Sequence, residues 1–426
     1  MAENKSVMRY LLLFLAGFML AQSAEAQKEP LNYALSFPRF KQFYNERKSD
    51  SLYGMFAVTV KAVLSPEKTQ DLINSLQEQY GTIGQTSVNK SAPQGLVYEA
   101  AFSKGKSMNV TYILNDKNEI AGLFFSPKDD VPAEPVVNNF EVTGSKGVPI
   151  KGTLETPASG GPHPLVIIVA GSGPTDRNGN STLGVHSNTY KLLAECLLAR
   201  GIASVRYDKC GIGASASPQV SEQQMRFETM SGDLEAIIRK ARADKRFGKI
   251  YLAGHSEGSL VSMLAAQKEK VDGFISIAGP ARPAGDILLE QISNAQPELA
   301  EETRATLESI KAGKPANPQN PALQQMFSPG VQPYVQSWMA YDPRVEIKKL
   351  SIPVLIIQGT EDTQVPVSEA TMLHQARAGS QLTVLYGMTH TLKTATADPA
   401  SNRKTYEDPA IPLTNGLCDA IGSFCK

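Results

Sequence analysis

One pentapeptide, Gly254-His255-Ser256-Glu257-Gly258, constrains this chain more than any other stretch of it. An apolar run at 250–253 precedes it, with the character of a buried strand, and a helix-like segment at 260–266 follows. A serine with a glycine two positions away on each side, between a strand and a helix, sits on a sharp turn that lifts its hydroxyl above the sheet edge. Larger side chains at the glycine positions would collide with the neighbouring elements. A chain carrying this turn must supply a sheet around the strand and a helix behind it.

The surrounding pattern supplies both. Continuous apolar runs at 165–169, 203–207, 273–277 and 354–357 read as buried parallel strands, and 382–385 as a half-apolar one. Helical stretches at 190–198, 225–243 and 259–267 separate several of them. This alternation predicts an α/β fold, a mostly parallel sheet with helices on both faces. A hairpin is expected ahead of it, from 140–142 and 150–156. Residues 277–352 break the rhythm with helical content and no clear strand run. A helical cap over about 280–345 is expected there, leaving from a strand's carboxyl end, where open α/β sheets bind ligands.

Two further segments precede this region. Lys5 and Arg9, an apolar run from 10 to 21 and Ala24-Glu25-Ala26 make the pattern of a secretory signal peptide, cut between Ala26 and Gln27. The run is too short for a stable membrane anchor, which takes about 20 residues. The mature protein is therefore expected in the periplasm or secreted. Residues 27–128 read as a small α+β domain. It has helical character from 37 to 60, and a helix opened by Ser65 and Pro66 and stopped at Gly81. Strands follow at 95–102, 108–114 and 119–125. A Pro- and Asp-rich linker spans 126–137, and the second domain is assigned to 129–426.

Lys+Arg and Asp+Glu are 42 each, so the formal net charge is 0 and a basic footprint for nucleic acid or an anionic membrane is missing. Four cysteines, Cys196, Cys210, Cys418 and Cys425, are too few for a disulfide-dependent scaffold. They allow three full pairings, of which a small loop closed by Cys418 and Cys425 is one candidate. No metal spacing and no cofactor motif is found. The glycine-rich stretch at 171–179 lacks the G-K-[ST] of a phosphate cradle.

A serine hydroxyl needs a base to take its proton, and the base needs a third group to fix its tautomer. Of the five histidines, His163 precedes a strand on the wrong side of the sheet. His255 adjoins Ser256 and is expected to point away from it, in a structural role, while His374 lies in a helical stretch. His390 follows a late strand and the turn Gly387-Met388, and is the expected base, with His186 the minor competitor. The orienting acid should also follow a strand, and Asp362 in Gly359-Thr360-Glu361-Asp362 fits, with Glu361 as the alternative. For a developing oxyanion, the backbone N–H groups of Glu257 and Ser172 are the expected donors, with Gly171 or Gly173 as alternatives to Ser172. Asp176 and Arg177 would either stiffen that loop or touch substrate.

From about Asn138 onward the chain resembles the α/β-hydrolase superfamily, in particular its secreted esterase-like group near the dienelactone-hydrolase and serine-aminopeptidase-like branches. The resemblance rests on Gly171-Ser172-Gly173-Pro174-Thr175-Asp176-Arg177, on 206–215, on 254–258, and on 359–366 with Gly387-Met388-Thr389-His390. The order Ser256, Asp362, His390 is that of the superfamily. The resemblance implies Ser256 as nucleophile, His390 as base and Asp362 as its orienter. In the second stretch Cys210 stands where the family usually has arginine, so the charged anchor beneath the active-site loop is expected to be absent. Residues 30–128 look like a small domain of unknown function often found ahead of such hydrolases.

The expected activity is acyl transfer to water on a small-molecule substrate, a short- or medium-chain carboxylic ester. An aminopeptidase or dipeptide hydrolase would use the same triad and need acids for the substrate ammonium, for which Glu290 and Glu301 are candidates. A non-catalytic envelope-binding protein is the third reading. Phe327, Tyr334, Trp338, Met339 and Tyr341 of the cap would line an acyl pocket or pack against the sheet.

Overall fold

The computed structural model describes residues 29–61, 64–92, 95–105, 107–127, 139–158, 161–396 and 398–426. The expected signal peptide and the 128–137 part of the expected linker lie outside them. The chain divides into two compact units on either side of position 135.

In the first unit, helices Leu31–Asn45, Ser49–Gly54, Val58–Lys61 and Pro66–Tyr80 precede an antiparallel sheet. Its strands, β1 (Ile83–Ala92), β2 (Gly95–Phe102), β3 (Ser107–Leu114) and β4 (Ile120–Pro127), pair in sequence order. Ser65 caps the fourth helix by accepting the Lys68 N–H, and Gly81 ends it at φ 84°. The helical character expected over 37–60 is divided among three helices, and Arg47, left-handed at φ 55°, makes the break between the first two. β1 escapes sequence reading: between Ile83 and Val88 lie only Gly84, Gln85, Thr86 and Ser87, so an edge strand there carries little apolar signal. Phe37, Phe40, Tyr44, Tyr98 and Tyr112 form the buried aromatic centre, with Phe37 and Tyr98 stacked at 3.5 Å.

The second unit is built on an eight-stranded sheet. Its strands are β5 (Asn139–Thr143), β6 (Pro149–Glu155), β7 (His163–Val169), β10 (Ala203–Tyr207), β11 (Phe247–His255), β12 (Gly273–Ile277), β13 (Val354–Gly359) and β14 (Gln381–Leu385). The short β8 (Asn180–Ser181) and β9 (Val185–His186) pair with each other outside it. The spatial order is β14-β13-β12-β11-β7-β10-β6-β5. β5–β6 and β6–β10 are antiparallel and the remaining pairs parallel. Apolar runs without alternation produce the central strands β7 and β10–β13, which are buried on both faces, while the outer β5, β6 and β14 are partly exposed. Leu165, Ile167 and Val169 face one core, and Val166 and Ile168 the other. β13 does the same, with Val354 and Ile356 opposite Leu355 and Ile357.

Helices Phe227–Ala243, Glu257–Ala266 and Val367–Ala376 contribute to the first core, Thr189–Leu198 and Leu417–Phe424 to the second. Between β12 and β13 run Ala284–Ala295, Ala300–Lys311, Pro321–Met326, Gln332–Trp338 and Pro343–Lys348, the expected helical insertion, with no strand among them. No helix of the described residues is long and apolar enough to cross a membrane.

The cysteine expectation is corrected. Cys196 is bonded to Cys418, with Cα atoms 6.3 Å apart, while Cys210 and Cys425 are free and buried. Cys418 and the C-capping Cys425 lie two turns apart on one helix, about 10 Å along its axis, which is beyond disulfide reach. The bond joins the two helices that cover one face of the sheet, and Arg200 pairs with Asp419 beside it at 2.6 Å. It closes a 222-residue separation. Replacing both Cys196 and Cys418 by serine should cost about 2–4 kcal/mol, lowering Tm by roughly 5–15 °C in calorimetry. An unchanged Tm would mean that the cross-link contributes nothing to stability.

Candidate active site

All parallel strands present their carboxyl ends at one edge of the sheet. β7 is followed there by Gly171 and Ser172, β10 by Asp208 and Lys209, β11 by Ser256, β12 by Arg282, β13 by Asp362, and β14 by His390. β7 lies beside β11, but the chain leaves β7 toward β10 and leaves β11 toward β12. Such a reversal of strand order opens a crevice between the departing loops. Gly171-Ser172 and Ser256 stand on its two sides.

Ser256 has φ 53° and ψ −121°, a strained conformation that costs roughly 1–3 kcal/mol and persists only where its surroundings impose it. They do so tightly. A Cβ on Gly254 would lie 2.3 Å from the carbonyl oxygen of Gly258, and one on Gly258 2.4 Å from that of Val169. Ser256 N–H donates to Ile277 O at 2.9 Å, tying the turn to the end of β12. Helix Glu257–Ala266 starts at the next residue, so its first amides and positive end face the crevice.

Asp362 and His390 are brought together, with His390 Nδ1 donating to Asp362 Oδ2 at 2.8 Å. Asp362 Oδ1 accepts the N–H groups of Gln364 and Val365, both at 2.9 Å, and Gln358 Nε2 donates to Oδ2 at 3.0 Å. Burial alone would raise the Asp362 pKa. The facing His390 ring and the two amides outweigh it and hold the carboxyl below its ordinary value. Glu361 instead projects outward, its side chain near Thr360 Oγ1.

His255 does take a structural position, and the structure specifies it. Its Nε2 lies 2.8 Å from the His390 carbonyl, which can only accept, so Nε2 carries a proton. Burial pushes its pKa down to about 3, so the ring is neutral and Nδ1 is an acceptor. Tyr190 Oη donates to that Nδ1 at 2.9 Å and accepts the N–H of Gly171, also at 2.9 Å. A continuous relay thus joins the loop after β7 to the backbone of His390, and the His255 and His390 ring centroids are 4.8 Å apart. Gly171 N–H is spent in this relay, leaving Ser172 and Gly173 of the three candidate amides. His186 sits on β9, His374 bonds Ser380 Oγ, and His163 begins β7 at the opposite edge.

The loop after β7 is held from within. Asp176 Oδ1 accepts from Asn178 N–H and Asn180 N–H, and Arg177 pairs with Asp208 at 2.7 Å. The expectation that no charged anchor lies beneath it is corrected. Lys209, one position before Cys210, is buried and donates to Gly171 O at 2.6 Å, with Glu257 Oε2 at 3.7 Å. Sequence reading passed over Lys209 and Tyr190 because neither stands in a catalytic motif. The available signal was the position of Lys209 two residues past β10, inside the stretch 206–215 that carries the resemblance.

Two cavities meet at Ser172. One includes Ser256 and is walled by Leu260, Ile287, Leu288, Trp338 and Val365, with Arg282 beside them. The other includes His255 and His390. Of the five cap residues singled out from sequence, Trp338 lines the first cavity. Tyr334 donates to Glu257 Oε1 at 2.6 Å, Tyr341 donates to Glu228, and Phe327 is buried in the core. Glu290 pairs with Arg282 at 2.6 Å, and Glu301 is exposed on the insertion next to Arg304. Arg282 also binds Glu369 at 2.6 Å, so its charge is compensated twice. Among the described residues no group of three or more His, Cys, Asp or Glu side chains is placed to hold a metal ion.

The family described as serine aminopeptidase, S33, matches residues 181–396, and a family of unknown function (DUF3887) matches 39–123. Esterase EstD of Thermotoga maritima is 28% identical over 339 residues, covering 76% of this chain and 79% of that protein. Among solved structures, Est1E from Butyrivibrio proteoclasticus with bound ferulic acid is 18% identical. It covers 67% of this chain and 96% of that one, with a TM-score of 0.43. A thermophilic esterase from Thermogutta terrifontis is 20% identical over 67% and 97%, with a TM-score of 0.41. The matched family spans just over half of the chain, from β8 to the loop that carries His390, and the chain belongs to it: it is an α/β-hydrolase of the serine aminopeptidase S33 family, preceded by a small α+β domain.

Proposed function

We propose that the protein is an exported serine esterase acting on short- or medium-chain carboxylic esters. Ser256 attacks the ester carbonyl while His390 takes its proton, and Asp362 holds the imidazole in the required tautomer. The oxyanion settles between the amides of Glu257 and Ser172. His390 then protonates the departing alcohol, and water repeats the cycle on the acyl-enzyme. The observation that carries this reading is the buried His390–Asp362 hydrogen bond of 2.8 Å at the sheet edge that also carries the strained Ser256.

Esters are favoured over aminoacyl substrates because the carboxylates considered for a substrate ammonium are engaged or remote. Glu290 is paired with Arg282, and Glu301 is exposed. The cavity wall of Leu260, Ile287, Leu288 and Trp338 suits an aliphatic acyl chain. The name of the Thermotoga maritima relative points the same way. Export accords with the Cys196–Cys418 disulfide, since such bonds persist in oxidising compartments.

The test is a panel of p-nitrophenyl esters from acetate to decanoate beside aminoacyl-p-nitroanilides, with a fluorophosphonate probe. Turnover is expected on the shorter esters, falling toward decanoate, with one probe per chain on the peptide containing Ser256. Anilide cleavage without ester turnover would replace the reading with the aminopeptidase one. Absence of labelling would leave only a binding role.

A further inference from the structure

Gly171 C=O and Ser172 N–H belong to one peptide unit. The unit is trans, so its carbonyl and its N–H point in opposite directions. Whatever holds the carbonyl therefore sets where the N–H is aimed. The group that holds it is the ammonium of Lys209, at 2.6 Å, which follows β10 on the far side of β7 from Ser256. With the carbonyl drawn toward Lys209, the Ser172 N–H is turned the other way. Ser172 lines the cavity that Ser256 and Glu257 also line.

Lys209 is itself held by the partner on the other wall. Glu257 Oε2 lies 3.7 Å from its ammonium, and Glu257 Oε1 accepts from Tyr334 Oη of the helical insertion. Glu257 thus contributes twice. Its backbone N–H is one of the two proposed oxyanion donors, and its side chain steadies the lysine that orients the other. Lys209 and Glu257 are both buried, so neither charge is spared by water, and the arrangement persists only with both in place. Gly171 has no Cβ to resist rotation of the peptide, and a Cβ there would lie 3.1 Å from that of Ser256. Glycine at 171 thus eases a tight approach to the nucleophile turn and leaves its peptide to be locked from outside.

We propose that Lys209 is a positioning residue that locks the Gly171–Ser172 peptide with its N–H facing the oxyanion, and that Glu257 and Tyr334 brace the lock from the nucleophile turn and the insertion. The proposal rests on the acyl-transfer reading and specifies how its oxyanion hole is kept formed. A cation on the carbonyl also polarises the amide, making its N–H a better donor.

The test uses Lys209→Met, Lys209→Arg and the double variant Lys209→Met/Glu257→Gln, the last because methionine alone leaves a buried carboxylate unpaired. Circular dichroism establishes that each is folded. On the best p-nitrophenyl ester, Lys209→Met and the double variant should lose about 10²-fold or more in kcat with KM changed less than about threefold, the pattern of a lost oxyanion donor. Lys209→Arg, which keeps a cationic donor, should recover part of the loss. A trifluoromethyl ketone, whose adduct with Ser256 places an oxyanion in the same position, should bind the methionine variants more weakly by the same factor. Folded double variant with near wild-type kcat and undiminished ketone affinity would overturn the lock. Failure of the wild-type protein to form the ketone adduct would overturn the acyl-transfer reading itself, and the lock with it.

Discussion

Replacing Ser256 by alanine is expected to lower kcat/KM on the best ester by about 10⁵–10⁶-fold. The loss is large because the alternative nucleophile is water, which the cleft does not position as it positions the Ser256 oxygen. A residual rate on the order of 10³ above the uncatalysed reaction should persist, since the amides of Ser172 and Glu257 would still stabilise the developing oxyanion. The variant should fold normally. The turn is held by backbone contacts, Ser256 N–H to Ile277 O and Ser259 N–H to Ser256 O, which alanine retains. Steady-state kinetics and a thermal melt together check the prediction. A loss of only tenfold would assign the nucleophile elsewhere.

Asp362→Asn should cost about 10⁴-fold in kcat, for a reason visible in the hydrogen bonds. Oδ1 accepts two backbone N–H groups, from Gln364 and Val365, so the asparagine must leave its oxygen there. Its NH₂ then falls at the Oδ2 position, facing His390 Nδ1. A donor at that point selects the tautomer with the proton on Nε2, which cannot take a proton from Ser256. The NH₂ also meets Gln358 Nε2, which now donates to Oδ2, while Gln358 Oε1 is buried without a hydrogen-bond partner. Gln358 cannot turn its amide to relieve this contact without giving up the bond from Nε2 to Val365 O at 2.7 Å and setting Oε1 against that carbonyl, so the mismatch adds to the cost of the asparagine.

The same site predicts a pH signature in stability. The folded pKa of Asp362 is depressed, so its stabilising contribution is present above the unfolded value of about 3.9 and is lost as pH falls through the folded one. Urea unfolding should find the wild-type advantage over Asp362→Asn full at pH 7 and shrinking below pH 4. An advantage that grew with acid would contradict the assigned sign.

Much of this organisation is legible in local pattern. The buried strands announced themselves as apolar runs because burial on both faces removes the polar alternation. Helix Pro66–Tyr80 could be bounded by Ser65 and Gly81 because capping is a contact between near neighbours. Ser256, Asp362 and His390 were each recognisable by the strand just before them. β1 and the β8–β9 hairpin were not, since two-residue strands and an edge of Gly, Gln, Thr and Ser leave no apolar periodicity to detect.

The disulfide partner, the lysine anchor and the His255 relay belong to a different class. Cys196 could have chosen any of three cysteines, and the choice of Cys418 was made by the packing of two helices on one face of the sheet, 222 residues apart in the chain. Lys209 meets Gly171 because β10 lies beside β7, and Tyr190 meets His255 because helix Thr189–Leu198 covers the strands that carry both loops. Sequence alone determined most of the elements, the turn at Ser256 and the chain order of Ser256, Asp362 and His390, because each is set by interactions within a few residues. Only the tertiary structure decided which distant groups hold those side chains in place, because a hydrogen bond between elements depends on strand order and face, and neither leaves a mark on the residues that flank it.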